Sequence, residues 1–324
     1  LQSAKRPGAL FQKISDIEIQ PPQWIIDGML EANTLAIVFG GSGQGKTFVV
    51  VDLAMCIATG ISYHEAFVDS GAVCYISGEG HSGFSRRIAA WCAHNGVNVE
   101  SALFFKSMTG ITLASDSIDE ILRELNTIRA SVGELKLIIF DTLDRSISGV
   151  EDSNEDVAAY LNFCDVIRNE FQCTVLIVAH IGHQARERAK GSSKLKDRMD
   201  ASYAVRAVGD NDIELKATKM KDGPEPDALM LVKVPINIVG DDGEVMTSLA
   251  LTKTEGRGPS QELTKAEKHT VVLDQFNLHS DFGNIPRSEL KQHVSDEIGC
   301  SLRTANRLIK DLVDQKILKV DGRS

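Results

Sequence analysis

One short stretch, the residues GGSGQGKT at positions 40–47, constrains this chain more than any other part of its sequence. It fits the pattern G-x-x-x-x-G-K-[ST], in which glycines let backbone N–H groups approach a phosphate without a clashing Cβ. An apolar run, TLAIVF (34–39), precedes the loop, and a helical pattern over 45–59 follows it. Because strand, loop and helix occur in this order, the stretch predicts a phosphate-binding loop rather than a coincidental glycine-rich turn.

The predicted nucleotide site consists of this loop and the first turn of the helix after it. The loop amides and the positive end of the helix would surround the phosphates. Lys46 would reach the β- and γ-phosphates, and the Thr47 hydroxyl would bind Mg²⁺. We therefore predict that ATP and Mg²⁺ are bound by Gly40, Gly41, Ser42, Gly43, Gln44, Gly45, Lys46, Thr47 and Phe48.

Apolar runs and helical patterns alternate through most of the chain, which predicts an α/β fold. Continuous apolar runs such as KLIIF and CTVLIVAH suit central strands that are covered on both faces. The predicted strands are 71–77, 102–106, 136–140 and 173–180, and the predicted helices are 82–95, 116–130 and 153–170. Beyond residue 200 the pattern predicts a hairpin around GDND and strands near 228–238 and 245–253, an antiparallel extension of a mostly parallel sheet.

Two carboxylates are candidates for work at the phosphates. Asp141 directly follows KLIIF, and an acid at the end of a buried strand is expected to bind the metal. Hydrolysis also needs a carboxylate that orients or deprotonates the attacking water. Thr142 occupies the position after Asp141, so we expect this base to be Glu79 in YISGEG, because the carboxyl ends of parallel strands meet at one crevice. A metal-independent turn aspartate and a solvated loop glutamate are the alternatives.

His180 ends the apolar run TVLIVAH. A neutral imidazole at this position could hydrogen-bond the γ-phosphate and report hydrolysis to the loop beyond it. A purely structural histidine is the alternative. A metal site made from His180 and His183 is disfavoured, because neither cysteine nor carboxylate partners occur at a suitable spacing.

Taken in order, these motifs resemble those of the RepA-type hexameric helicases, which belong to the RecA/DnaB-like ATPases. The resemblance covers about residues 20–240 and rests on GGSGQGKT, YISGEG, LIIFDTL, VLIVAHIGHQ…GSSKLKDRMD and KMKDGP. It implies a RecA-like ATPase domain over 34–253, ATP bound between neighbouring subunits, and a hexameric ring that moves along single-stranded DNA. It also implies that Lys46 and Thr47 contact phosphate and Mg²⁺, Glu79 is the base, Asp141 binds the metal and His180 senses the γ-phosphate.

The resemblance implies a further role for Lys219 and Lys221 in TKMKDGP. Related ring ATPases place a K-x-R or K-x-K pair here, where it reaches the γ-phosphate of the neighbouring subunit. A lysine can neutralise transition-state charge but lacks the bidentate fork of arginine. An exposed pair at a strand end is the alternative, and Arg206 is a reserve candidate for the same role.

A basic segment, HQARERAKGSSKLKDRMD (183–200), follows His180 and is predicted to bind the DNA backbone; its acids are Glu187, Asp197 and Asp200. In a ring it would face the central channel, where cations track phosphates with a strong dependence on salt. It contains no aromatic residue, so base stacking is not expected, and a mobile solvated loop is a compatible alternative. The predicted contacts are Arg186, Arg188, Lys190, Lys194, Lys196 and Arg198.

A polar linker over 254–263 separates the predicted ATPase domain from a small module at 264–324. Helical segments at 264–277, 287–299 and 301–315, followed by a short strand-like tail, predict a winged helix-turn-helix domain. Arg303 and Arg307 in the last helix are expected to meet DNA, and protein contacts are the alternative. Residues 1–33 are interpreted as an N-terminal lead-in, and a primase or another replication protein is a further expected partner.

Composition narrows the class of protein further. The net charge of −10 disfavours a general polyanion binder. No apolar run reaches the roughly 18 residues of a membrane span, and the scattered cysteines favour buried thiols in a reducing cytoplasm. Three functions remain: a ring-forming DNA helicase of a plasmid, phage or mobile element, a RecA-like regulatory or loader ATPase, and a small-molecule kinase. Glu79 and His180 disfavour the kinase, because they suit attack by water.

Overall fold

The alternation of apolar runs and amphipathic segments produces one large sheet with helices on both faces. The structure, a computed structural model, describes residues 13–14, 21–78, 81–108, 115–142, 154–180, 193–240, 243–254, 265–279, 285–298, 302–315 and 317–318. Some residues inside its helices, among them Lys194, Lys196 and Arg303, are described by their backbone alone.

The strands of the described residues are β1 (Trp24–Ile26), β2 (Leu30–Glu31), β3 (Leu35–Gly40), β4 (Ala72–Ser77), β5 (Phe104–Lys106), β6 (Leu135–Asp141), β7 (Thr174–His180), β8 (Ala201–Val208), β9 (Asp212–Met220), β10 (Leu229–Val239) and β11 (Val245–Lys253). The α-helices are α1 (Lys46–Thr59), α2 (His81–Asn95), α3 (Ser115–Val132), α4 (Asn154–Phe171), α5 (Ser193–Arg198), α6 (Lys265–His279), α7 (Arg287–Ile298) and α8 (Leu302–Asp314). The α/β prediction is confirmed, and the predicted elements agree with these bounds to within a few residues.

The main sheet has the order β11-β10-β9-β8-β3-β7-β6-β4-β5. From β8 to β5 all neighbours are parallel, whereas β8, β9, β10 and β11 pair antiparallel. The mostly parallel sheet with its antiparallel extension is therefore as predicted. Strand β7 lies between β3, which leads into the glycine loop, and β6, which ends at Asp141.

The central strands are buried on both faces because successive side chains point to opposite sides of the sheet. In β3, Ala36 and Val38 pack with α1 and α2, whereas Ile37 and Phe39 pack with the cluster under α3 and α4. Each fully buried side chain of this size contributes about 1.5–3 kcal/mol to folding. A sheet packed in this way gives a rigid edge at the carboxyl ends of its parallel strands.

Two segments differ from the simple sequence interpretation. Residues 24–31, placed in the lead-in, contain the antiparallel pair β1–β2, and Ile25 and Ile26 are buried in the core cluster that contains the α1 side chains. The helix α5 lies in the segment interpreted as a basic loop. Leu195 of α5 and Met199, which directly follows the helix, are fully buried, so this end of the segment is held against the core.

The helices α6, α7 and α8 share a hydrophobic cluster of their own, which contains Val272, Val294 and Ile309. The predicted strand-like tail falls almost entirely on residues 316 and 319–324, which lie outside the described residues. The described part of the module is therefore a helical cluster, and its winged-helix assignment stays a prediction.

Candidate active site at the glycine loop

The glycine loop joins the end of β3 to the start of α1, and glycine is required at specific positions in it. Gly45 has φ of 94°, and a Cβ there would lie 2.4 Å from Ile213 Cδ1. A Cβ on Gly40 would lie 2.4 Å from the Val205 carbonyl oxygen. The loop is therefore wedged against β8 and β9, and side chains larger than hydrogen do not fit at these two positions.

Two side chains of the predicted nucleotide site contact other elements of the fold. The Gln44 side-chain oxygen accepts a hydrogen bond from the Ala207 backbone N–H at 2.7 Å, which ties the loop to the end of β8. The Phe48 ring lies under the Arg87 guanidinium of α2, with 5.1 Å to the ring centroid. Ser42 and Gly43 at the tip of the loop are exposed, so their backbone amides are accessible to a ligand.

Lys46 is buried at the base of the loop, and its ammonium group has well-defined partners. Its Nζ donates to the carbonyl oxygens of Gly40 at 3.0 Å and Gly41 at 2.9 Å. The same Nζ lies 3.1 Å from His180 Nδ1. An ammonium group has only donors, so Nδ1 accepts and the ring proton of His180 is on Nε2. The structure thus joins two predicted site residues that are far apart in the sequence.

Asp141 is nearly buried at the end of β6, beside the first turn of α1. Thr47 Oγ1 lies 3.5 Å from Asp141 Oδ2, and the Tyr75 hydroxyl donates a hydrogen bond to the same oxygen. Burial raises the pKa of Tyr75 well above its usual value, and the charge of Asp141 raises it further. The phenol therefore stays protonated and remains a donor to this carboxylate.

These groups fit Mg²⁺ together with a nucleotide. Mg²⁺ prefers hard oxygen ligands in octahedral geometry at about 2.1 Å, and it usually shares them with phosphates and water. The hydroxyl of Thr47 and the carboxylate of Asp141 supply such oxygens 3.5 Å apart. Within the described residues no group of three or more His, Cys, Asp or Glu side chains could hold an ion without help. A bound ion would therefore draw its remaining ligands from phosphate and water.

The predicted base, Glu79, lies outside the described residues. The residues before it are at the same edge of the sheet, since Ser77 is level with Asp141 and the Gly78 N–H donates to the Asp141 carbonyl at 2.7 Å. Just before position 79 the chain is therefore at the edge of the sheet where Asp141 lies. The role of Glu79 stays a prediction from the sequence.

The sequence profile of a family described as an AAA domain matches residues 2–186, which is more than half of the chain. The chain belongs to this family of P-loop ATPases. The AAA domain match ends before β8, so Lys219, Lys221 and the helices α6 to α8 lie beyond it. A search of curated proteins finds no match for the chain. Among the described residues, no helix of this AAA protein is long and apolar enough to cross a membrane.

Lys219 and Lys221 lie at the opposite end of the sheet from the glycine loop of the AAA domain. Lys219 Nζ donates to the Asp197 carbonyl at 2.9 Å, and Lys221 Nζ lies 3.1 Å from Asp200 Oδ1. The Asp200 backbone N–H donates to Leu35 at the start of β3, whereas the loop follows its end. At ~3.3 Å per residue, β3 separates the two ends by about 17 Å. The lysines are therefore out of reach of the subunit's own phosphates.

The reserve candidate, Arg206, is placed differently from the two lysines. It lies near the loop end of β8, where its guanidinium makes an ion pair with Glu214 at 3.1 Å. Glu214 is largely buried, so this pair fixes the side chain of Arg206 along the sheet. Arg206 therefore lies close to the glycine loop of its own chain, at the opposite end of the sheet from Lys219 and Lys221. This position does not suit contact with a neighbour's nucleotide through the surface that carries the two lysines.

The predicted DNA contacts are only partly within the described residues. Arg186, Arg188 and Lys190 lie outside them, and Lys194 and Lys196 are on α5 with only their backbone described. The Arg198 guanidinium bonds to Asp165 and to Asn162 Oδ1, the latter at 3.0 Å. This pairing joins the end of α5 to α4, a structural role that the sequence interpretation did not anticipate.

In the C-terminal module, Arg303 is on α8 and Arg307 is exposed there. Leu302 in the same helix is 48% exposed. It is the first residue of α8, so it lies at the edge of the cluster rather than inside it. Asn306 accepts a hydrogen bond from the Arg287 guanidinium at 3.2 Å, which joins α8 to α7.

Two features of the site were missed by sequence reasoning. Tyr75 was counted only as an apolar strand residue, and Asp200 was counted only as an acid within the basic segment. Their contacts depend on strand register, β4 beside β6 and β8 beside β3, which no local pattern displays. A tyrosine inside an otherwise aliphatic buried strand was the one available signal, because a buried hydroxyl usually has a partner.

Proposed function

We propose that the chain is a ring-forming, ATP-hydrolysing DNA helicase or translocase of the RepA/DnaB type. It would act on single-stranded DNA in the replication of a plasmid, phage or other mobile element. The observation that carries this proposal is the attachment of the basic segment. Its start follows His180, which contacts Lys46, and its end contains Asp197 and Asp200, which contact Lys219 and Lys221.

Nucleotide binding would redirect Lys46. Its ammonium group now donates to two loop carbonyls and to His180, and a γ-phosphate is a stronger acceptor because it is charged. When Lys46 turns to the phosphate, His180 Nδ1 loses this donor and can rearrange. Glu79 would orient the attacking water, and Lys46 would stabilise charge that develops on the transferred phosphoryl group.

His180 would pass this change to the DNA. It is the last residue of β7, and the basic segment begins within a few residues of it. A shift of the imidazole on ATP binding would therefore move the start of the segment that holds the DNA backbone. Repetition of this movement with each hydrolysed ATP would give translocation.

The lysines that contact the end of the basic segment are an argument for a ring. Lys219 and Lys221 cannot serve their own glycine loop, so their proposed partner is the nucleotide of a neighbouring subunit. A head-to-tail contact that repeats in this way closes into a ring when the rotation between subunits allows it. Each nucleotide would then have one subunit's glycine loop on one side and the neighbour's lysines on the other.

A regulatory or loader ATPase is the second candidate, and one observation favours it. The helices α6 to α8 have their own hydrophobic cluster, and α8 carries Arg307 and Lys310 exposed on its surface. Such a module could bind DNA or a protein partner without unwinding. This candidate would use the same residues for ATP hydrolysis.

The test is steady-state ATP hydrolysis with and without single-stranded DNA, over a range of salt concentrations. We expect strong stimulation that declines as salt rises, because backbone contacts release counterions. Light scattering with ATP should show a hexamer. Hydrolysis that is indifferent to DNA, from a monomer or dimer, would exclude the translocase and favour the regulatory ATPase.

A further inference from the structure

A buried tyrosine lies directly beneath the carboxylate predicted to bind the metal. Tyr75 is on β4 and Asp141 ends β6, and these strands are parallel neighbours. The Tyr75 side chain is fully buried, and its hydroxyl donates to Asp141 Oδ2. The Thr47 hydroxyl reaches the same carboxylate oxygen at 3.5 Å. The phenol therefore approaches Asp141 from the interior of the sheet, on the side away from solvent.

The Tyr75 ring is held on two sides by other aromatic rings. Phe84 of α2 meets it edge-on, with ring centroids 4.8 Å apart and an interplanar angle of 60°. Phe104 of β5 stacks on it at 5.9 Å. Both neighbours are phenylalanines, which have no hydrogen-bonding group, so the hydroxyl has no partner among these rings. A phenylalanine at position 75 would fill the same space without the cost of burying a polar group.

The hydroxyl therefore makes its hydrogen bond outside the aromatic cluster, and its one described partner is Asp141. A carboxylate at a strand end can turn about its last side-chain bond, and a rigid donor selects one orientation. Groups that orient a metal ligand in this way matter almost as much as the ligand, and their loss typically weakens metal binding by about 10- to 100-fold.

The same ring also contacts the helix that follows the predicted base. Phe84 belongs to α2, which begins at His81, two positions after Glu79. A second contact of α2 reaches the glycine-loop helix, where Arg87 lies over Phe48. The position of α2 is thereby linked to Asp141 through Tyr75 and to α1 through Phe48.

We propose that Tyr75 is a positioning residue, whose hydroxyl holds the Asp141 carboxylate in the orientation that binds Mg²⁺ and whose ring connects that carboxylate to α2. This inference rests on the proposed binding of Mg²⁺ and ATP at this site, and it does not require DNA translocation. It assigns Tyr75 no contact with the nucleotide.

The test is Tyr75→Phe, which removes one hydroxyl and keeps the aromatic packing. A fluorescent ATP analogue is titrated into the full chain at a series of Mg²⁺ concentrations and, separately, in EDTA. We expect the Mg²⁺ concentration for half-maximal tightening to rise by about 10-fold, with nucleotide affinity in EDTA unchanged. Mn²⁺ binding in the presence of the analogue, followed by electron paramagnetic resonance, should weaken by the same factor.

Tyr160→Phe is the matched control. Tyr160 is also a buried phenol, and its ring packs edge-on against Phe140, the residue before Asp141, but in the core cluster on the other face of the sheet. Loss of the Tyr160 hydroxyl should leave the Mg²⁺ dependence of nucleotide binding as in the unmodified protein. An effect of equal size in both variants would mean that the result reflects core packing, and the proposal would be wrong.

A double-variant cycle gives a readout that a merely structural tyrosine would not produce. In the Asp141→Asn background, Tyr75→Phe should have no further effect on Mg²⁺ dependence, because the two groups act as a unit. Additive effects, or an unchanged Mg²⁺ dependence in Tyr75→Phe alone, would overturn the proposal. If DNA does not stimulate hydrolysis by the unmodified protein, the translocase proposal is wrong, but the effect of Tyr75→Phe on Mg²⁺ binding is not affected. The two proposals can therefore fail independently.

Discussion

At the scale of single residues, the described site is organised around Lys46 and Asp141, and each is held by a side chain from another strand. His180 of β7 contacts Lys46, and Tyr75 of β4 contacts Asp141. The sequence predicted Lys46 from the G-x-x-x-x-G-K-[ST] motif, and Asp141 and His180 because each follows or ends an apolar run. It could not predict which pairs would touch, because contacts between strands depend on the order of the strands in the sheet.

His180→Ala should separate ATP binding from the response to DNA. The variant keeps Lys46 and its two carbonyl partners, so nucleotide affinity should stay within about 3-fold, a change of under 1 kcal/mol. The link from the phosphates to the basic segment is lost, and stimulation of hydrolysis by single-stranded DNA should disappear. His94→Ala, at an exposed position near the end of α2, is the control. Full stimulation in His180→Ala would rule out the sensor role.

At the scale of the elements, most strands and helices were predictable because their apolar residues repeat with periods that the local sequence displays. The helix α5 was not, since its many charges suggested a solvated loop. Leu195 in this helix and Met199 just after it are buried in the core, and this packing stabilises the helix. The glycine loop was predictable as a motif, but its contacts with Ile213 and Val205 depend on β8 and β9, which are more than 150 residues away.

Gly45→Ala should destabilise the protein and weaken nucleotide binding together. The backbone conformation at φ of 94° costs about 1–3 kcal/mol for a residue with a Cβ, and the new methyl group would also overlap Ile213. We expect a fall in melting temperature of several degrees, roughly 2–4 °C per kcal/mol. Gly96→Ala is the matched control, because Gly96 also has positive φ but open space around it. An equal fall in melting temperature in both variants would mean that the overlap with Ile213 adds nothing to the destabilisation.

Glu31, at the end of the sheet that carries Lys219 and Lys221, should make the stability of the fold depend on pH. Burial raises the pKa of Glu31, and the charges of Asp222 and Asp200 raise it further. An acid with a raised folded-state pKa destabilises the fold when it is ionised, and this penalty fades as pH falls through that pKa. Glu31→Gln should therefore raise the melting temperature at pH 7, with the gain vanishing below the unfolded-state pKa of about 4.3. A gain that is the same at both pH values would contradict this origin.

At the scale of the whole molecule, the proposed catalytic groups are divided between opposite ends of one sheet. The glycine loop and Asp141 lie at the carboxyl ends of the parallel strands, and Lys219 and Lys221 lie at the amino ends. The sequence predicted the hairpin of β8 and β9 but not that β8 lies parallel beside β3, and the division depends on that pairing. The resemblance to ring helicases implied a role in trans for the two lysines, and this role stays a prediction.

Mixing two inactive variants tests that division. Lys46→Ala lacks a working glycine loop, and Lys221→Ala lacks the group proposed to act on the neighbour, so each alone should hydrolyse little ATP. In an equal mixture, about one quarter of the contacts in a heterologous ring would pair an intact loop with an intact Lys221. Activity should return to about that fraction of the unmodified level. A mixture as inactive as its components would show that Lys221 does not act across subunits.

The position of the basic segment between two lysine sites has a consequence for how activity depends on protein concentration. His180, just before the segment, contacts Lys46, and the end of the segment contacts Lys219 and Lys221, so in the proposed ring a strand of DNA held by the segment would be shared between two neighbouring nucleotide sites. Specific activity should then depend steeply on the amount of protein, falling on dilution even when ATP and DNA are saturating. The protein would be inactive at low cellular concentration and would become active over a narrow range of expression.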